Sequence, residues 1–237
     1  MRWLSIVCRL GMVAAFLTFF PAWAAELADK ADGGVVIDKA NRTITIDAKI
    51  APRKINDPRY KEIYPIEVVA CWEFPKGQKA HETVVTIECK PSVVHKALED
   101  MGLKPGTPVM GGGKKDVPQG PKVDFFIEVP NPGGEAKKVP LYLTMVDPKT
   151  NKPFPKSVEF RFTGSVMSQP DPNKPEKVYG ADLTGTLISI FPVTNQTVFQ
   201  TNLTMEEEKF LKLEVDKNLL PKELTPVKLI IQVPPPK

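Results

Sequence analysis

Apolar and polar residues alternate along Thr43-Ile44-Thr45-Ile46-Asp47-Ala48-Lys49-Ile50, the two-residue period of a strand with one face in a core. Residues 66–72 and 83–89 read as two further strands, and the loop Pro75-Lys76-Gly77-Gln78-Lys79-Ala80 between them predicts a hairpin with a long basic tip. The period changes after Pro91. Val94, Leu98 and Met101 fall at helical spacing and Ala97 widens the stripe. Proline suits the first turn, where its missing N–H has no helical partner to lose, and Gly102 supplies a left-handed stop. Residues 206–213 form a second short helix by pattern, although their end reads equally well as a strand. Strand-like runs recur at 123–129, 139–146, 158–162, 185–191 and 227–233, separated by turns such as Asp147-Pro148-Lys149-Thr150-Asn151. The class is therefore mainly β (α+β): sandwich- or barrel-like antiparallel sheets with one or two short packed helices.

Composition supports that reading and adds a compartment. The 25 prolines are scattered between apolar runs, where they break helices and punctuate short strands. At the start, a basic stretch with Arg2 and Arg9 precedes the apolar run 10–20, and Ala22-Trp23-Ala24 follows with small side chains two apart. This order predicts a secretory signal peptide over residues 1–24, cleavage before Ala25, and a periplasmic or extracellular destination. The apolar run is shorter than the roughly 20 residues of a spanning helix, and no later stretch is long enough, so the mature chain is expected to hold no transmembrane segment. Residues 25–233 are expected to be one β-rich domain, with an internal joint at the glycine-rich 111–121 and a Pro-rich tail at 234–237. Beyond residue 24 the balance is 30 basic against 28 acidic residues. That near-neutral balance speaks against a nucleic-acid partner, which needs a clustered basic face.

Chemistry-bearing residues are few. Cys71 and Cys89 are the only cysteines beyond the leader. In an oxidising compartment they are a candidate disulfide, with buried thiols and metal ligation as the alternatives. His81 and His95 are the only histidines, and Glu82 adjoins the first. If a strand and the helix after it pack together, His81, His95 and either Glu82 or Glu99 make a two-histidine, one-carboxylate site for a divalent metal. Adjacent residues on a regular strand point to opposite faces, so His81 and Glu82 converge only where the strand begins irregularly. The competing reading makes His95 a helix-edge residue that bonds a nearby backbone group. Gly113-Lys114-Lys115 lacks the first glycine and the hydroxyl of a phosphate loop. No Gly-x-Ser-x-Gly elbow occurs. Asn41, Asn195 and Asn202 head glycosylation sequons. Lys104-Pro105-Gly106-Thr107-Pro108-Val109 echoes Lys222-Glu223-Leu224-Thr225-Pro226-Val227, six residues that on their own do not establish a duplication.

Three segments carry a resemblance: Gly77-Gln78-Lys79-Ala80-His81-Glu82-Thr83, the proline-led Pro91-Ser92-Val93-Val94-His95-Lys96-Ala97-Leu98, and Gly102-Leu103-Lys104-Pro105. With Phe162-Thr163-Gly164-Ser165 and Tyr179 to Ser189 downstream, the chain resembles the YdjY-domain family of exported bacterial proteins. The resemblance implies a single exported domain and draws attention to His81, Glu82 and His95. Some relatives carry ferredoxin-like cysteine clusters; this chain lacks those cysteines, so no iron–sulfur cluster is expected. The leading expectation is a non-catalytic binding or structural module with an unidentified small ligand, with a metal at the two histidines as one form of it. The alternatives are a metal-dependent enzyme built on His81, His95 and a carboxylate, and a cell-envelope domain that docks another protein through a sheet edge or the basic loop 76–79.

Overall fold

The computed structural model describes residues 29–31, 33–112 and 116–235; the expected leader lies outside them. The chain begins with β1 (Asp29–Ala31), β2 (Val35–Asp38), β3 (Thr43–Ile50) and β4 (Val68–Trp72), then a 3₁₀ turn at Ala80–Glu82 leading into β5 (Thr83–Ile87). Helix α1 (Pro91–Asp100) comes next, followed by β6 (Lys122–Val129), β7 (Lys137–Pro140), a 3₁₀ turn at Leu141–Leu143, β8 (Met145–Val146), β9 (Phe160–Phe162), β10 (Met167–Ser168) and β11 (Val178–Tyr179). The last part holds α2 (Ala181–Thr184), β12 (Thr186–Ser189), β13 (Phe199–Thr201), α3 (Met205–Glu208), β14 (Glu214–Val215) and β15 (Pro226–Gln232).

Eight of these strands close a ring in the order β3-β15-β6-β9-β13-β12-β4-β5, because β5 returns to pair with β3. Closure rests on three residue pairs: Ala48↔Ile87, Lys49↔Thr86 and Ile50↔Val85. Neighbours are antiparallel except at β4–β5 and β12–β13, which are parallel. A closed ring leaves its own strands no free edge. β2 and β1 extend outward from the first half of β3, whose second half belongs to β5. β6 divides one edge in the same way, between β9 and β7.

The alternation in β3 becomes packing: Ile44, Ile46, Ala48 and Ile50 are buried while Asp47 is exposed. In β6, Val123, Phe125, Ile127 and Val129 are buried on the same principle. Helix α1 lays Val94, Ala97 and Leu98 into this core, and Gly102 (φ 86°) follows its C-cap Met101 as the left-handed stop.

Some expectations need correction. Residues 66–72 and 83–89 do not form a hairpin; β4 and β5 run parallel, joined by a crossover over 73–82. The helix at 206–213 is one turn, Met205–Glu208, fixed by a capping box between Thr204 and Glu207. Its end is extended, with Leu213 bridging Ile66 and Glu214 pairing in β14. The run 139–146 splits into β7 and β8 around a 3₁₀ turn. On either side of the glycine-rich 111–121, the chain contributes strands to one ring.

Candidate functional site

The 3₁₀ turn at Ala80–Glu82 breaks the alternation expected of a strand, which is why His81 and Glu82 converge. His81 Nε2 lies 3.1 Å from Glu82 Oε1. Lys79 Nζ donates to Glu82 Oε2 at 2.6 Å and to Glu67 Oε2 at 2.9 Å. The imidazole lies 3.9 Å from the Tyr60 ring in a tilted stack and 5.3 Å from Tyr64, edge to face. Buried Arg53 donates to the His81 carbonyl at 3.1 Å, to Glu214 at 2.6 Å and to the Tyr64 carbonyl, tying segment 53–64 over the turn. Burial is the main cause lowering the His81 pKa to about 4, with the Lys79 charge adding to it, so the imidazole is neutral at pH 7. Burial also raises Glu67, against the pull of Lys79. Burial opposes charge on Lys79, but its two carboxylates outweigh that and hold the ammonium above its ordinary pKa.

His95 belongs to a different cluster. Its Nδ1 is 2.6 Å from the Tyr179 hydroxyl and its Nε2 is 3.5 Å from Glu99 Oε1. Phe162 packs edge to face at 5.0 Å. Gly164 gives the ring its room: a Cβ there would come 3.3 Å from His95 Cε1 and 2.9 Å from Pro105 Cβ. The Ser165 backbone hydrogen-bonds the Tyr179 hydroxyl from the other side, so the phenol oxygen is held between that backbone group and the imidazole. Burial raises the Tyr179 pKa and keeps the phenol protonated. Asp182 closes the start of α1, accepting from the Ser92 N–H at 2.9 Å and from its hydroxyl at 2.5 Å.

The structure thus brings His81 and Glu82 together and gives His95 other partners, Tyr179 and Glu99. Among the described residues no group of three His, Cys, Asp or Glu side chains is arranged to hold a metal ion. Cys71 and Cys89 are free buried thiols, which corrects the expected disulfide. The parallel register places Cys71 beside Thr86, so Cys89 lies three residues further on. Their surroundings differ as well: Cys71 packs with Val68, Ala80 and Phe74, and Cys89 with the main core.

A feature the sequence does not announce is a cavity of about 610 Å³ on the flank of the ring, within the size range of small-molecule sites. Asp47, Lys49, Glu73, Glu88, Glu128 and Lys228 bring charge to it, while Gly33 and Gly34 add no side chains. Lys49 pairs with Glu88 at 3.3 Å, and Lys228 pairs with Asp47. Glu73 and Glu128 form no ion pair among the described residues. Glu128 has a lysine opposite it on each side, but Lys228 pairs with Asp47 and Lys138 sets its ammonium 4.2 Å from the centre of the Phe126 ring. The cavity shares no lining residue with either imidazole cluster.

No curated protein and no solved structure matches the chain. The family model described as the YdjY domain matches residues 35–232, from the first residue of β2 to the last of β15. This chain belongs to the YdjY-domain family.

Proposed function

We propose that this chain works outside the cytoplasm as a non-catalytic binding module, and that its ligand occupies the cavity on the flank of the ring. The observation that carries the reading is the pair of carboxylates Glu73 and Glu128, which line a 610 Å³ cavity without an ion-pair partner among the described residues. Ionised carboxylates only accept hydrogen bonds, so the complementary ligand is a small organic molecule bearing an ammonium or guanidinium group. Lys49 and Lys228, already paired, add fixed donors beside it, which suits a ligand that also carries an acceptor.

The imidazoles support the non-catalytic part. His81 is stacked on tyrosine and paired with Glu82, and His95 is held between Tyr179 and Glu99. Among the described residues the one hydroxyl facing an imidazole, that of Tyr179 on His95 Nδ1, is a phenol whose pKa burial raises, and the cysteines are buried thiols whose pKa burial pushes up to about 12. Export rests on the leader pattern of residues 1–24.

Two measurements test this. Intact mass of the exported chain should place its first residue at Ala25; a full-length cytoplasmic product would remove the compartment. A thermal-shift series should raise the melting temperature with L-arginine or spermidine and leave it unchanged with glutamate or inorganic phosphate. An anion-selective or absent response would overturn the ligand class.

A further inference from the structure

The ring is related to itself by an internal two-fold. The strands β6 and β15 have the same pattern, Val123-Asp124-Phe125-Phe126-Ile127-Glu128-Val129-Pro130 against Val227-Lys228-Leu229-Ile230-Ile231-Gln232-Val233-Pro234. They are antiparallel neighbours, and Phe126 pairs with its own counterpart Ile230. Across the ring, β4 and β12 meet in the same manner, with Ala70 paired to its counterpart Ile188. Around these two points the pairings repeat. β15–β3–β5 is antiparallel throughout and ends in parallel β4, as β6–β9–β13 ends in parallel β12.

Single hydrogen bonds repeat too. Trp72 N donates to Gly185 O at 2.9 Å, and its counterpart Ile190 N to Glu67 O at 2.9 Å. Ala51 N donates to Val84 O at 2.9 Å and Thr163 N to Val198 O at 3.1 Å. Thr83 Oγ1 donates to Val85 O and Thr197 Oγ1 to Phe199 O, both at 3.2 Å. Arg53 Nη1 donates to His81 O at 3.1 Å where Ser165 Oγ donates to Asn195 O at 3.4 Å. One unit, β6–β9–β12–β13, is continuous in sequence. The other, β3–β4–β5, takes its first strand, β15, from the far end of the chain, as a circularly permuted duplication would.

The repeat supplies an internal control, because the fold builds the same parallel crossover twice. Counting back from β5 and β13, Lys79, His81 and Glu82 stand where Val193, Asn195 and Gln196 stand in the other copy. The neutral copy forms its parallel pair without ionised groups at these three positions. We infer that the chain is a permuted internal duplication in which the ionised cluster of the 73–82 crossover is a specialisation the fold does not require: an acid-operated latch that holds segment 53–64 against the ring. The groups facing the His81 imidazole are Lys79 and Glu82 from its own connection, Arg53, Tyr60 and Tyr64 from the segment it latches, and Glu67 before β4. A proton on that ring would be buried, which is the main cause opposing it, and Lys79 and Arg53 would repel it more than Glu67 and Glu82 attract it; Arg53 is also the residue that fastens the segment. The counterpart Asn195 cannot titrate.

The test replaces the cluster with the residues of its neutral copy in the full mature chain: K79V/H81N/E82Q, with E67Q so that no buried carboxylate is left unpaired. The variant is expected to keep the parent's circular dichroism and a melting temperature within about 4 °C of it at pH 7, a margin of roughly 1–2 kcal/mol for a chain of this size. Between pH 6.5 and pH 4 the parent should lose at least about 4 °C more than the variant. H81N alone should flatten the acid limb to the same extent. Failure of the fourfold variant to fold at pH 7, or a melting temperature more than about 8 °C lower, would show that the cluster shapes the crossover and overturn the inference. Parallel acid limbs in parent and H81N would overturn the latch.

Discussion

Replacing Gly185 by alanine probes the junction between the two halves of the ring. Gly185 caps α2 in the left-handed region (φ 70°, ψ 10°) and accepts the Trp72 N–H at 2.9 Å. A Cβ there would come 2.5 Å from Trp72 Cδ2 and 2.6 Å from Cε3 and Cγ, so the indole has to move. The backbone conformation alone costs about 1–2 kcal/mol with a side chain. Overpacking adds about 1–3 kcal/mol. Moving the indole also disturbs the bond from Trp72 Nε1 to the Cys89 carbonyl at 2.7 Å, worth about 1 kcal/mol. The total is roughly 3–6 kcal/mol. Gly102→Ala is the control, because Gly102 has the same backbone demand (φ 86°) with nothing within 4 Å of the added Cβ. It should cost only about 1–2 kcal/mol. Urea denaturation followed by fluorescence reads the difference directly, since Trp72 is the only tryptophan beyond residue 24. Gly185→Ala should fall at least about 2 kcal/mol, or 4–8 °C in melting temperature, below Gly102→Ala. Equal losses would mean that the indole does not sit on Gly185.

Three other outcomes follow from the clusters. A thiol reagent at pH 8 should leave the native protein unmodified and label both Cys71 and Cys89 once guanidinium is added, because each thiol is buried with its pKa pushed up to about 12; an unfolded chain without reactive thiols would mean they are bonded after all. Asp182→Ala removes the side-chain cap of α1 and should cost about 1–2 kcal/mol in the same denaturation assay, and Tyr179→Phe should cost about 1–2 kcal/mol by leaving the His95 Nδ1 unpaired. Unchanged stability in both would remove the polar seam between α1 and the segment 165–182. Elemental mass spectrometry of tag-free protein purified without chelators should find metal well below one equivalent, and the same value in a His81→Ala, His95→Ala variant; one equivalent lost in that variant would restore the two-histidine site.

The strands were legible where one face is solvated. In β3 the period survives intact because alternate residues meet core and water. The orientation of β4 and β5 was not legible: both are buried almost throughout, and a ten-residue connection fits a hairpin or a short crossover. The choice is made by β5 closing the ring on β3, across some forty residues of sequence. His81 and Glu82 could converge only at an irregular strand start, and the 3₁₀ turn at Ala80–Glu82 supplies one. The partner of His95 was out of reach, since Tyr179 is 84 residues away. The cavity was hidden for a related reason. Asp47, Lys49, Glu128 and Lys228 each read as an ordinary solvated position, and only the register of β3, β15 and β6 gathers them. The duplication was glimpsed at the wrong offset. The echo of 104–109 in 222–227 falls in equivalent connections, but the chain makes an excursion between Thr107 and Gln119, which bridge each other, before β6 begins.

The central claim is a cation-binding cavity, and isothermal titration calorimetry of L-arginine and of spermidine into the mature chain tests it most directly. The account predicts saturable single-site binding of at least one of them, lost in Glu73→Gln/Glu128→Gln while the melting temperature without ligand stays within about 2 °C. No heat above dilution from either probe, or equal binding by the double variant, would contradict it.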